Sequence, residues 1–235
     1  NTIYVRPTGD DVNSGLAAEF PLLTIQRAFD ILALQQQPLS GYFAIVLAEG
    51  GYAAGATTIN FQSARNRRVL ISGPSVSTWD NTDPPDDPVS ISSITSANPP
   101  VVTTSTSHGR SNGDKIFIGL AQRSGGMHSS DGKVYTVANQ TGTTFDLSGI
   151  DGSGWAAYTS GGKMYDCTGS APLAVVYGAG AVTNGIVADG GAHLRIDDVA
   201  LIGCGSKATT ASIGALLSTN RSWIETNNVH QSDCT

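Results

Sequence analysis

Two segments in the last quarter of the chain repeat each other, and this repeat limits the choice of fold more than any other feature. Residues 194–204 align with residues 224–234 at a spacing of 30 residues, which places Cys204 over Cys234. A period of this length is typical of a solenoid, in which each repeat forms one coil that stacks on the next. We therefore expect both cysteines to be inward residues of adjacent coils; a disulfide between them is the alternative.

The repeat has a polar pair at its centre and extends upstream. Residues 197–198 align with residues 227–228, so that Asp-Asp lies over Asn-Asn. Short polar side chains of this kind favour bends, because they can bond the nearby backbone. The pattern predicts a bend between two strands of each coil. Upstream, the segment that begins at Gly185 aligns with the segment that begins at Gly214, here at a spacing of 29 residues.

An amphipathic helix is predicted near the N-terminus, after a short strand at residues 3–6. Thr24 is the predicted N-cap, because its hydroxyl can accept a bond from an otherwise unpaired backbone N–H. The apolar residues that follow recur at the spacing of one helical face: Ile25, Ala28, Phe29 and Leu32. Such a helix needs an apolar surface to cover, and we expect it to close the open end of a stack of β-coils.

The N-terminal region also resembles a known family. The resemblance is carried by Tyr4-Val5, Pro7-Thr8-Gly9-Asp10, Asn13-Ser14-Gly15-Leu16, Pro21, Thr24-Ile25-Gln26, Ala28 and residues 45–52. These motifs are similar to the N-terminal entry of right-handed parallel β-helix proteins. That group is the pectate-lyase-like superfamily, which includes bacteriophage tailspikes. The resemblance implies the fold more than the chemistry, because this fold hosts lyases, hydrolases and inert adhesins.

Residues 94–166 have a different sequence pattern. Short segments with alternating apolar and polar residues are separated by turn residues, as in a small β-barrel. Asn112-Gly113 and Asp131-Gly132 predict turns, because these residue types tolerate positive φ. The segment has its own motifs: His108-Gly109, Gly113-Asp114, Tyr135-Thr136-Val137 and residues 144–147 and 157–162. They resemble the small barrel inserted in many phage tail proteins, which is similar to the first catalytic-cysteine half-domain of ubiquitin-activating enzymes. This resemblance implies no catalysis.

Together these features predict a mainly β chain, a right-handed parallel β-helix with an N-terminal capping helix and an inserted small β-barrel. The predicted domains are the cap and first coils at residues 1–93, the barrel at residues 94–166 and continuing coils at residues 167–235. The sequence begins without Met and stops in a strand-rich region. We therefore expect it to be a piece of a longer protein.

Composition argues against several kinds of partner. The formal charge of −6 disfavours nucleic acid, since no basic stripe is present to release counterions from phosphate. The three arginines within residues 65–68 are interpreted as a solvated strand entrance. No apolar run is long enough to cross a membrane. The cysteines lack metal-ligand spacing, and the Asp- and Pro-rich residues 80–88 read as a linker rather than a calcium loop. The sequence predicts no metal and no cofactor.

Candidate catalytic residues lie on the late coils. A polysaccharide hydrolase needs two carboxyl groups across a groove, and a lyase needs a base with a partner that neutralises the sugar acid. The candidates are Asp189, His193, Arg195, Asp197, Asp198 and Glu225. Arg195, Asp197 and Glu225 fall on neighbouring coils and can share one face. For the two adjacent aspartates, a purely structural role in the bend is the favoured interpretation and catalysis is the alternative.

Three aromatic residues are candidates for contact with carbohydrate, since an aromatic face matches the C–H face of a sugar ring. Trp155 and Tyr158 lie beside glycines in a predicted loop of the barrel, where they either stack on a sugar or plug the end of the barrel. Trp223 aligns with His193 in the repeat. An outward position there fits a sugar contact or a trimer contact.

The two resemblances together imply a bacteriophage tailspike or tail-fibre component, located on the virion and homotrimeric, that binds host surface polysaccharide beside other tail or baseplate proteins. No catalysis is evident in this region. One alternative is a polysaccharide depolymerase of β-helix fold, a hydrolase or a lyase. Another is a purely structural virion protein, such as a collar, a baseplate component or a head decoration.

Overall fold

The computed structural model describes residues 2–34, 42–53, 59–62, 68–74, 88–167, 174–178, 185–189, 191–202, 204, 216–218, 221–227 and 229–232. In these residues the chain is mainly β, with one helix, α1 (Ile25–Leu34). It divides into two compact units. The first comprises Asn1–Trp79 and Pro172–Thr235, and the second comprises Asp80–Ala171.

The described strands are short and are numbered in chain order. They are β1 (Thr2–Val5), β2 (Tyr42–Leu47), β3 (Gly50–Ala53), β4 (Ile59–Gln62), β5 (Arg68–Ser72), β6 (Val89–Ile94), β7 (Val101–Thr104), β8 (Lys115–Gly119), β9 (Gln122–Arg123), β10 (Gly126–Met127), β11 (Lys133–Ala138), β12 (Thr144–Leu147), β13 (Tyr158–Ser160), β14 (Lys163–Asp166), β15 (Ala174–Tyr177), β16 (Ile186–Asp189), β17 (His193–Asp197), β18 (Val199–Ile202), β19 (Leu216–Ser218), β20 (Trp223–Asn227) and β21 (His230–Ser232).

The described strands of the first unit form three parallel sheets. The first sheet has the order β1-β2-β5-β17-β20, the second β21-β18-β15-β3 and the third β19-β16-β4. From β2 onward, strands of this unit enter the first, second and third sheets in turn. Apolar side chains from all three sheets meet in one buried core. This arrangement places each strand beside its equivalent one repeat earlier.

Strand pairing confirms the 30-residue repeat and corrects one part of its alignment. Leu194 pairs with Ile224 in the first sheet, and Ala200 pairs with His230 in the second. In the third sheet Ile186 pairs with Leu216, again 30 residues apart. The predicted spacing of 29 residues is therefore wrong for this sheet. A shift of one residue would turn the wrong side chains toward the core, because strand side chains alternate.

The predicted bend after Asp197 is confirmed. Asp198 has a positive φ of 56° between β17 and β18. Its backbone N–H donates to Asn227 O, and the N–H of Gly73 donates to Asp197 O. A side chain at Gly73 would clash with the carbonyl of Asp198. The corner between the first and second sheets is thus held by backbone bonds that run from one repeat to the next.

Helix α1 begins where the sequence predicts and buries the predicted face. The hydroxyl of Thr24 accepts the N–H of Arg27 at 3.1 Å, which confirms the N-cap. Asp11 Oδ1 accepts the N–H groups of Leu23 and Thr24, both at 2.9 Å. The buried residues of the helix are Ile25, Ala28, Phe29 and Leu32. The helix contacts β1 and β4, which are edge strands of the first and third sheets.

The cysteine prediction is tested in part. Cys204 is fully buried within the core of the first unit, with Sγ 3.6 Å from Val176 O. Its inward position is therefore confirmed. Cys234, its equivalent in the repeat, lies outside the described residues, as do residues 80–87 of the Asp- and Pro-rich stretch.

The second unit contains a closed six-stranded barrel, in the order β11-β12-β7-β6-β14-β8. Its neighbouring strands are antiparallel, and its core includes Val102, Ile116, Phe145 and Leu147. The strand Val89–Ile94 closes the barrel between β7 and β14, although all of it except Ile94 lies before the predicted start of the barrel at residue 94. A small sheet of β10, β9 and β13 accompanies the barrel.

Candidate functional site

The outer face of the first sheet carries the polar residues that the sequence singles out. Along β17, Leu194 and Ile196 are fully buried, while His193, Arg195 and Asp197 alternate with them and are partly exposed. This is the period of two that a strand with one buried face requires. The same alternation along β20 places Glu225 outward beside Arg195. Arg195, Asp197 and Glu225 therefore share one face.

A row of three residues crosses this face at the start of each strand. Arg68 of β5, His193 of β17 and Trp223 of β20 are directly paired. Trp223 is 63% exposed, a large fraction for an apolar ring of this size. The row lines an open depression of about 540 Å³, together with Gly191, Ala192 and Arg221.

The backbone that carries this row is held by local hydrogen bonds. The hydroxyl of Ser222 accepts the N–H groups of Gly191 at 3.0 Å and Ala192 at 3.1 Å. The N–H of Trp223 donates to Ala192 O at 2.8 Å. Gly191 and Arg221 both adopt positive φ, 84° and 64°, at the turns that precede β17 and β20. Trp223 and Arg221 are thus presented from a turn whose geometry is fixed.

The charged residues of the face occur in two close pairs. Arg195 Nε donates to Asp197 Oδ1 at 2.8 Å within β17. His193 Nε2 lies 3.2 Å from Glu225 Oε1. That nitrogen is buried and lacks an aligned hydrogen bond to the carboxylate, so the contact is a charge pair when His193 is protonated. Asp197 thus has the cationic side chain of Arg195 as its neighbour, and Glu225 has the ring of His193.

The remaining candidates of the late repeats lie elsewhere. Asp189 ends β16 in the third sheet, and Asp198 occupies the corner between the first and second sheets. Arg68 is not among the candidates predicted from the sequence, because the arginines within residues 65–68 are interpreted as a strand entrance. Its position beside His193 follows from the pairing of β5 with β17.

Trp155 and Tyr158 belong to the barrel and not to this face. Both are partly buried and pack against the barrel core. The ring of Trp155 meets His128 edge-on, with centroids 5.4 Å apart. The hydroxyl of Tyr158 donates to Ile91 O at 2.8 Å and accepts the N–H of Gly162 at 3.1 Å, and burial raises its pKa. Their role as carbohydrate contacts stays a prediction.

The buried histidines of the barrel do not form a catalytic triad. His128 Nδ1 lies 2.8 Å from the hydroxyl of Ser130, while Nε2 faces the carbonyl of Ala156 at 3.0 Å. A carbonyl therefore occupies the position of the third triad member, and Ser130 is fully buried, out of reach of a substrate. Burial lowers the pKa of His128, which favours the neutral form of its ring. His108 is likewise buried, with Nε2 3.3 Å from Thr144 O.

The described ranges hold neither a group of metal ligands nor a membrane-spanning helix. No three His, Cys, Asp or Glu side chains there are grouped so as to hold a metal ion. Nor does that part of the chain contain a helix with the length and apolar character needed to cross a membrane.

Comparisons with known proteins give distant structural neighbours. No family model and no curated protein matches the sequence. A solved glycoside hydrolase has a TM-score of 0.35 and 10% identity, over 86% of this chain and 50% of that one. The tailspike protein gp49 from Pseudomonas phage LKA1 has a TM-score of 0.24 and 16% identity, over 76% of this chain and 31% of that one. The Pseudomonas phage phi297 tailspike gp61 has a TM-score of 0.27 and 10% identity, over 88% of this chain and 41% of that one. The chain spans at most half the length of these three neighbours, and likeness at these TM-scores assigns no function.

Proposed function

We propose that the protein is part of a bacteriophage tailspike or tail fibre that binds polysaccharide on the host surface. In this proposal the three parallel sheets form a right-handed parallel β-helix capped by α1, the barrel is an insert, and the protein is a homotrimer on the virion beside other tail or baseplate proteins. The binding surface is the outer face of the first sheet.

The exposed ring of Trp223 is the observation that carries the binding proposal. A tryptophan that is 63% exposed on a regular sheet gains little for folding. Its flat apolar face matches the C–H face of a pyranose, and the neighbouring His193, Arg195 and Glu225 supply hydrogen-bonding groups for hydroxyls. An apolar platform beside polar groups is the combination that a sugar requires.

The first experiment measures binding of the protein to capsule and lipopolysaccharide preparations from candidate hosts. With a preparation that binds, Trp223→Ala is expected to raise the Kd by roughly three- to tenfold, because it removes the stacking platform. Phe20→Ala is the matched control, since Phe20 is a similarly exposed aromatic residue, at 60%, in the segment between β1 and α1.

Two outcomes would contradict the proposal. One is an equal loss of binding in the Trp223 and Phe20 variants. The other is no binding to any preparation, which would favour a purely structural virion protein.

A second candidate function, cleavage of the bound polysaccharide, is favoured by the shared face of Asp197 and Glu225. Their strands are adjacent in the first sheet, so both carboxylates approach the same side of a bound chain. Arg195 lies between them as a charge partner. The test is release of oligosaccharide from the bound preparation. Release that Glu225→Gln or Asp197→Asn abolishes, with binding retained, identifies a depolymerase; binding without release identifies an adhesin.

A further inference from the structure

Two arginines line the depression beside Trp223. Its described lining residues include Arg68, Arg221 and His193 and no carboxylate. Two carboxylates of the same face, Glu225 and Asp197, are directed to His193 and Arg195. The whole chain carries a formal charge of −6, so this cationic lining runs against the average charge of the molecule.

We infer that the depression binds a sugar that carries an anionic group, a carboxylate or a phosphate, with the sugar ring on Trp223 and the anion between Arg221 and Arg68. The inference rests on the proposed function, since it names the class of polysaccharide that the same face binds. Guanidinium groups pair with both anions through two parallel hydrogen bonds, which fixes orientation as well as adding affinity.

The spacing of the strands supports this assignment. Neighbouring strands lie about 4.8 Å apart, and Arg68 and Trp223 are separated by one strand, so their backbones lie roughly 10 Å apart across the sheet. Long side chains from both ends can therefore reach toward one ligand above His193. Arg221 precedes Trp223 by two residues on the turn that Ser222 fixes. Arg68 thus lies at one end of the row, and Arg221 lies close in the chain to Trp223 at the other end.

The net negative charge of the chain affects which anions are bound. A diffuse polyanion is repelled by the whole molecule, whereas an anionic group seated between two arginines gains a short-range attraction that salt screens less. A weak response to polyanions without a sugar ring is therefore expected. The depression selects for the combination of a pyranose face and a charged substituent.

The test begins with the capsule or lipopolysaccharide preparation that binds the protein. One portion is carboxyl-reduced, which converts its carboxylates to hydroxyls, and another is dephosphorylated. Loss of binding after the first treatment identifies a carboxylate, and loss after the second identifies a phosphate. Unchanged binding to both treated portions overturns the inference and leaves the proposed function standing, because a neutral sugar is then the ligand.

Variants separate charge recognition from folding. Arg221→Gln is expected to raise the Kd for the untreated preparation by roughly ten- to a hundredfold, as loss of a hydrogen bond to a charged group implies, and to leave the thermal midpoint unchanged. Arg68→Gln is the second variant and should weaken binding in the same direction. Arg123→Gln, at an exposed arginine in β9 of the small sheet that accompanies the barrel, is the matched control. Wild-type affinity in both the Arg221 and Arg68 variants contradicts the inference.

Discussion

Asp131 is a buried carboxyl in the barrel whose ionisation opposes folding. Its Oδ1 accepts the N–H of Ala121 at 2.8 Å, yet burial outweighs this bond and raises its pKa to about 6. A raised pKa in the folded state contributes stability below about pH 4, and this contribution is lost as the pH rises through about 6. Relative to Asp131→Asn, we expect the free energy of unfolding of the wild type to fall by about 1–2 kcal/mol across this window.

Chemical denaturation at several pH values between 4 and 7 measures this difference. The comparison with Asp131→Asn is needed because His128 acts in the opposite direction. The pKa of His128 is lowered by burial, so its contribution is lost as the pH falls. That contribution is common to both proteins and cancels in the difference. If the free energies of unfolding of the two proteins change with pH in parallel, ionisation of Asp131 does not destabilise the fold and the prediction is wrong.

Among single residues, the sequence predicts those whose role depends on neighbours in the chain. Thr24 is recognisable as an N-cap because its partner, the N–H of Arg27, lies three residues ahead. Arg68 is not recognisable as a member of the candidate face, because its neighbour His193 is brought beside it only by strand pairing after the intervening barrel. A contact between residues close in the chain can be predicted from the sequence. A row of residues on neighbouring strands can be predicted only when the pairing register of those strands is known.

Helix α1 contributes four buried side chains to the core of the first unit. Phe29 is 1% exposed and belongs to the same core as Ile3 and Val5 of β1. Phe29→Ala should lower the free energy of unfolding by about 3–5 kcal/mol, since it removes a large buried ring and leaves a cavity. Leu34→Ala, in the same helix at 75% exposure, should change it by less than about 0.5 kcal/mol. Urea unfolding followed by circular dichroism measures both; equal effects would contradict the packing of this face.

Register between repeats is predictable only where the pattern of residues is rich. Residues 194–204 and 224–234 share a dense pattern of apolar, acidic or amide, and cysteine positions, and the structure confirms their spacing. For β16 and β19 the alignment rested on two glycines and missed the register by one residue. The apolar partners Ile186 and Leu216, which contact the core, set that register instead. Glycines carry no side chain that distinguishes the two faces of a strand.

At the scale of the whole molecule, the sequence predicts two kinds of β-structure. It places the boundary between them where the spacing of strand and turn residues changes. The pattern of strand and turn residues does not identify β6 as a barrel strand. Its sequence, VSISSI, follows the Asp- and Pro-rich stretch and precedes the segment with the barrel motifs. The structure pairs Ile91 and Ile94 of this strand with β7, and Val89 and Ser90 with β14. The barrel therefore cannot close without it.

This difference in boundaries gives a prediction about autonomous folding. Residues 80–171 contain all six barrel strands and a core of their own, so we expect them to fold when expressed alone and to give well-dispersed amide resonances. Residues 94–166 lack nearly all of β6, which leaves the edges of β7 and β14 unpaired and the core open at Ile91. This shorter fragment should give a collapsed spectrum or aggregate. Equal dispersion from both fragments would show that β6 is dispensable, and collapse of both would show that the barrel depends on the rest of the chain.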